Sequence, residues 1–193
     1  MTALYGQIPS EELILYENEL SARLGYRASP SEPTVSRIKD ELISVCEVKY
    51  GARLFDVEYA GDAADFGFVK IPSSALIKNL RSAPRAYIFA VTLGMGVDRL
   101  IKEKALLSPS EGFIADAVAS ALAESACDLA EEKIRAGATV RPRFSPGYAD
   151  FSLEFQRPIL SALDSEKKIG IALLDSGLMI PQKSITAVLG IEK

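Results

Sequence analysis

The sequence predicts an α+β fold, in which a sheet is interleaved with helices but no regular strand–helix repeat runs through the chain. Three observations carry this. A helical pattern extends from about Glu111 to Ala136, with Ile114, Val118, Leu122, Leu129 and Ile134 at helical intervals. An apolar run of strand length, Ala86 to Val91, reads as a buried strand. Finally, Arg53 to Tyr59 alternates through Leu54, Val57 and Tyr59, with Phe66 to Ile71 as its partner across the Gly61 to Asp65 loop.

The remaining elements follow in order. Residues 9 to 25 open on Pro9-Ser10-Glu11-Glu12, a helix start, and carry Leu13, Leu15, Leu20 and Leu24 at roughly helical intervals. A second helix fits Glu32 to Lys49, with Val35, Ile38, Leu42, Ile43 and Cys46 on one side, and Pro30 and Pro33 punctuate the gap between the two. Residues 1 to 50 are therefore read as a helical segment packed on a domain spanning residues 51 to 193. A short helix covers Ser74 to Leu80 and another runs from Val97 to Leu106. Pro158 sits in the first turn of a helix reaching Leu163, a place that tolerates its missing N–H. Asp164 to Lys168 turns the chain into strand Ile169 to Leu174, and strand Ser184 to Leu189 finishes the sheet.

Composition narrows the function. The 193 residues suit one domain, and 48% hydrophobic with 25% charged residues is ordinary globular usage. A net charge of −4 with scattered basic residues disfavours nucleic acid. The start lacks the basic and apolar regions of a signal peptide, so the expected location is the cytoplasm, without membrane association. There is no histidine, which excludes histidine-based triads and histidine ligation of metal by this chain. Cys46 and Cys127 are read as small buried apolar residues.

One segment imitates a nucleotide fingerprint. Leu93-Gly94-Met95-Gly96-Val97-Asp98-Arg99 follows a strand and opens a helix, but its third glycine position is Arg99. A tight turn, with Asp98 favouring the helix N-terminus through its dipole, is the simpler reading.

The chemistry concentrates between Arg141 and Ser184. Arg143 offers a fork of donors suited to a carboxylate or phosphate. Pro146-Gly147 fits a turn that exposes backbone groups, and Tyr148 adds a ring with a polar tip. Upstream, Ala117, Ser120, Ala121, Glu124 and Asp128 fall on one helical face, small side chains one turn before carboxylates. Solvated arginines on a proline-rich connection, and close helix packing beside a solvated glutamate, are the plain alternatives.

Arg143-x-x-x-Gly147-Tyr148, followed by Ser176-x-x-Met179-x-Pro181-x-x-Ser184, resembles the activation, S-adenosylmethionine-binding domain of cobalamin-dependent methionine synthase. Leu122-Ala123-Glu124 matches that family's Leu-Ala-Glu on the preceding helix, and the likeness is clear from about Phe113 to Gly190. The resemblance implies a mostly antiparallel twisted sheet flanked by helices, here as a stand-alone chain. It further implies that S-adenosylmethionine is bound through Glu124, Arg143, Ser145, Gly147, Tyr148 and Ser176. Arg143 would take the ligand carboxylate, Glu124 a cationic or donor group, and backbone around Ser145 and Gly147 the adenine. Tyr148 would cover the sulfonium, at ~0.5–2 kcal/mol for a cation on a ring face, or contact the corrinoid.

The implied role is reductive methylation of oxidised cobalamin held by a partner methionine synthase that lacks its own activation domain, with electrons from a flavodoxin-like or other donor. No catalytic base is needed, since positioning the methyl donor is the protein's task. This chain departs from the family in three places. The connection Gly137-Ala138-Thr139-Val140 is short and omits an acidic contact, a further acidic contact near the family domain's N-terminus has no match, and Leu174-Asp175-Ser176 stands for the usual Thr-Glu-Ser. Two other readings remain: a docking module on a corrinoid protein that does not bind S-adenosylmethionine, and a small-molecule methyltransferase. A shallow open site favours the reactivation role and a closed pocket the methyltransferase.

Overall fold

The computed structural model describes residues 3–25, 29 and 31–192. Strand β1 (Ala3–Ile8) leads through a 3-10 turn to helix α1 (Glu17–Leu24). Helix α2 (Pro33–Val45) starts with proline in its first turn, where the absent N–H costs nothing. Strand β2 (Val48–Asp56) then passes into a small antiparallel sheet of β3 (Glu58–Ala60), β4 (Ala63–Asp65) and β5 (Lys70–Pro72). Helix α3 (Ser74–Leu80) is capped by the Ser73 hydroxyl, which accepts from the Leu76 N–H, and β6 (Arg85–Thr92) follows.

Helices α4 (Met95–Leu107) and α5 (Pro109–Arg135) form a hairpin, and α5 is held at its start by the Ser108 hydroxyl. After a long connection come α6 (Gln156–Ala162), α7 (Ser165–Ile169), the β7 (Ala172–Leu173) and β8 (Met179–Ile180) hairpin, and β9 (Ser184–Ile191).

The main sheet has the order β1-β2-β6-β9, and every pairing in it is antiparallel. Both of its faces are covered. On β6, Phe89 and Val91 join a core with Leu20, Leu42 and Leu122 from α1, α2 and α5. Ile88 and Ala90, pointing the other way, join Phe55, Leu76, Phe151 and Ile159 on the opposite side. This two-sided burial is why residues 86–91 read as unbroken apolar sequence. The fold is thus α+β, with antiparallel sheets flanked by helices.

The structure corrects several local readings. Residues 9–25 are not one helix. Leu13 and Leu15 are both buried with exposed Ile14 between them, the two-residue period of extended chain, and the Ile14 N–H donates to Ser125 Oγ at 2.8 Å. Helix begins only at Glu17 and stops at Gly25, whose φ of 74° suits a left-handed cap. Pro30 lies outside the described residues. Helix α2 ends at Val45 rather than Lys49, because Val48 and Lys49 pair in the sheet with Ile8 and Gln7.

Strand β2 stops at Asp56, where the Val57 N–H turns to the Pro84 carbonyl (2.9 Å). The hairpin expected between 53–59 and 66–71 is instead a three-strand meander in which β4 pairs with both β3 and β5. The turn expected at Asp164 to Lys168 is the helix α7. Of Ile169 to Leu174 only Ala172 and Leu173 pair as strand, since Ile169 ends α7 and the Ile171 backbone bonds to Ser165. The Gly94-Met95-Gly96 turn serves packing: a Cβ on Gly96 would stand 2.4 Å from the Val45 carbonyl oxygen. Asp98 is buried and accepts the Gln182 N–H at 2.7 Å, tying α4 to the approach to β9.

Candidate functional site

One stripe of α5 presents Glu124, Asp128 and Glu131 at four- and three-residue spacing, so their carboxylates align along the helix. Beyond α5 the chain is stitched beside β9: the Arg141 N–H donates to the Gly190 carbonyl, and Phe144 and Val188 exchange both backbone bonds. Arg143 lies between these anchors and faces the stripe. Its Nη1 donates to Asp128 Oδ1 at 2.6 Å and Glu131 Oε2 at 3.3 Å, and its Nη2 to Glu124 Oε2 at 3.1 Å. Glu124 is also reached from α1, where Arg23 Nη2 donates to its Oε1 at 3.3 Å. Arg23 is shared with Glu19 at 3.6 Å, so carboxylates outnumber the two guanidinium groups and the corner is net negative.

The turn after Arg143 is self-contained. Gly147 has φ 95°, which glycine adopts without strain, and its N–H donates to the Phe151 carbonyl at 2.6 Å. The Tyr148 N–H donates to the Ser145 carbonyl (3.3 Å), and the Phe151 N–H to the Tyr148 carbonyl (3.0 Å). Phe151 is fully buried and stacks on Phe144 (6.2 Å between centroids, 6° between planes). Tyr148, by contrast, is 64% exposed. Asp150 fastens the turn to α3: its carboxylate accepts from both hydroxyls of Ser73 and Ser74 (2.5 and 2.7 Å) and from the Ser74 and Ala75 N–H groups (2.8 and 3.2 Å).

Between α5, this turn, α6 and β9 lies a cleft of about 390 Å³. Glu124, Arg143, Ser145 and Tyr148 are on its wall. Gly147 shapes the turn without lining the cleft, and Ser176 lies in the β7–β8 turn, away from the lining, although Met179 just beyond it does contribute. The segment leading into β9 is tied down. Lys183 Nζ donates to Asp116 Oδ1 (2.7 Å) and Ser120 Oγ (2.8 Å) on α5, and the Ser184 hydroxyl donates to the Pro181 carbonyl (2.7 Å).

Sequence reasoning missed two wall residues, Gln156 at the start of α6 and Thr186 on β9. Thr186 is a polar residue within an otherwise apolar buried strand, which was its signal, whereas Gln156 stands between exposed charged residues and its burial has no local sign.

No protein-family model matches this sequence, nor does any curated protein at a significant level. Among solved structures the chain is similar to the MetH reactivation domain bound to AdoHcy, with a TM-score of 0.70 and 18% sequence identity over 98% of this chain and 78% of that one. At that identity the likeness establishes a shared fold. No helix among the described residues is long and apolar enough to cross a membrane.

Proposed function

We propose that the cleft binds S-adenosylmethionine, and that the chain serves as a stand-alone reactivation subunit for a partner cobalamin-dependent methionine synthase lacking its own activation domain. Electrons would come from a flavodoxin-like or other donor. The observation that carries this reading is the corner where Arg143 meets Glu124, Asp128 and Glu131 at one end of a nucleoside-sized cleft. S-adenosylmethionine carries a sulfonium, an ammonium and a carboxylate, a net positive ligand for a net negative corner. Arg143 remains the group suited to the carboxylate, which would exchange with one of its three helix partners on binding. Tyr148, projecting at the mouth, is placed to meet the sulfonium or a body docking from outside.

The residues present fit such a ligand: the lining combines charged groups, rings beside the turn and a buried amide. A reduced corrinoid brought by the partner would supply the nucleophile that accepts the methyl group as the S–CH₃ bond breaks, both bonding electrons staying on sulfur to leave a neutral thioether. The chain's own work is to hold the donor with its methyl outward and to shield the rest of it from water. No proton has to move, which accords with a chain lacking histidine. The small-molecule methyltransferase reading loses ground, because the main sheet is antiparallel throughout rather than doubly wound.

Calorimetric titration tests the proposal. Wild-type protein is expected to bind S-adenosylmethionine, and Arg143→Ala to bind it at least about tenfold more weakly, as loss of a charge-assisted contact implies. Equal affinity of the two proteins would remove Arg143 from the site, and absence of wild-type binding would favour a docking module. Methyl transfer to chemically reduced cobalamin, followed by absorbance, would then test the reaction itself.

A further inference from the structure

Gln156 opens α6 and lines the cleft, yet it is 92% buried (8% exposed), and its side-chain amide makes no hydrogen bond among the described residues. The amide's polar atoms are not among the sealed ones, so its donor and acceptor are open to whatever fills the cleft while the rest of the side chain is held by burial. Thr186, in the same wall, also carries a hydroxyl without a partner, but its oxygen is sealed from solvent. Among the buried side chains of this wall, the Gln156 amide is the unpaired group that the cleft still reaches.

We propose that Gln156 is the specificity-determining residue for the base of the bound nucleoside, reading the N6 and N7 edge of a 6-aminopurine. This rests on the nucleoside reading of the cleft given above. With the charged corner at Arg143 and Glu124 taken by the polar end of the ligand, the base falls to the uncharged lining, which includes Gln156, Phe144 and Met179. Backbone reading by the Arg143–Tyr148 turn is restricted, because the Gly147 N–H and the Ser145 carbonyl are spent on bonds inside the turn.

A glutamine amide sets one acceptor beside one donor in a plane. Its carbonyl takes the N6 hydrogen of adenine while its N–H donates to N7, the bidentate pairing by which such amides recognise adenine. A 6-oxopurine presents two acceptors along that edge, so either orientation of the amide leaves its oxygen facing another oxygen or a ring nitrogen. Discrimination against the oxo base follows.

The test compares S-adenosylhomocysteine with its hypoxanthine analogue, S-inosylhomocysteine, by calorimetry on wild-type protein and on Gln156→Met, which keeps length and removes both hydrogen-bonding groups. Wild-type protein is expected to prefer the adenosyl ligand by about tenfold or more. Gln156→Met should bind the adenosyl ligand about tenfold more weakly and lose the preference, while unfolding at the same or a higher temperature. A 7-deaza adenosyl analogue should bind wild-type protein more weakly as well, a result that needs no variant. If wild-type protein binds both ligands equally, or Gln156→Met keeps the preference, the assignment of Gln156 is overturned while the nucleoside reading stands. If wild-type protein binds none of the three, the nucleoside reading falls and this inference with it.

Discussion

At the scale of single residues, the turn after Arg143 is secured by a carboxylate in addition to the buried Phe151 ring. The Ser73 hydroxyl, then the Ser74 hydroxyl and the backbone N–H groups of Ala75 and Ser74, hold the Asp150 carboxyl well below the usual carboxylate range. Unfolding returns it to an ordinary value of about 4. Its stabilising effect is therefore complete above that value and disappears as the pH falls through the depressed folded one. Asp150→Asn should lower the melting temperature at pH 7 and flatten the acid limb of stability below about pH 4; melting curves between pH 2 and 7 that keep the wild-type slope would refute this. The thiols present the reverse case. Burial pushes Cys127 up to about 12, against the opposing pull of nearby Arg143, and burial pushes Cys46 up to about 12 as well. Thiols that hold their protons are poor nucleophiles, so a chromogenic disulfide reagent at pH 8 should titrate both cysteines only after denaturation. Rapid reaction of either in the native protein would contradict the placement.

Elements differ in how plainly their sequences announce them. Helix α3 was readable to the residue and β6 within one at each end, since a serine cap and an unbroken apolar run are local signals. Strand β1 was not readable, and the reason is tertiary. Tyr5 lies opposite Gly51 and Gly6 opposite Tyr50, and each ring covers a glycine on the neighbouring strand. Glycine lowers the strand signal locally while providing the space the ring needs.

The candidate site divides in the same way. Glu124, Arg143, Ser145 and Tyr148 belonged to local patterns and now share one wall, whereas Arg23, Gln156 and Thr186 acquire meaning only from burial and long-range packing. The α4–α5 hairpin offers an element-level test. A Cβ on Gly112 would stand 2.5 Å from Ala105 Cα, a backbone atom that cannot swing away. Gly112→Ala should therefore pry the two helices apart and cost about 1–3 kcal/mol, seen as a shifted denaturant midpoint. An unchanged midpoint would mean that the hairpin contact is looser than the structure places it.

For the whole molecule, the decisive arrangement is a sheet buried on both sides, with the early part of the chain built into it. Strand β1 pairs along all six of its residues with β2, and Leu20 and Leu24 of α1 join the core beneath α5. Removing residues 1–24 should leave an aggregating or unfolded remainder, and a soluble, cooperatively melting fragment would contradict this. Arg23→Ala is the gentler probe: an exposed ion pair contributes only about 0–1 kcal/mol to stability, so its main expected effect is on ligand affinity, through a less restrained Glu124. The cleft thus draws on both α1, where Arg23 restrains Glu124, and β9, where Ile185 and Thr186 build the wall. Strand β9 follows every other described strand in the chain, so one wall of the cleft is supplied only after the rest of the described sheet. A fragment ending ahead of Ser184 lacks that part of the wall, so it should fail to bind the proposed ligand rather than bind it more weakly.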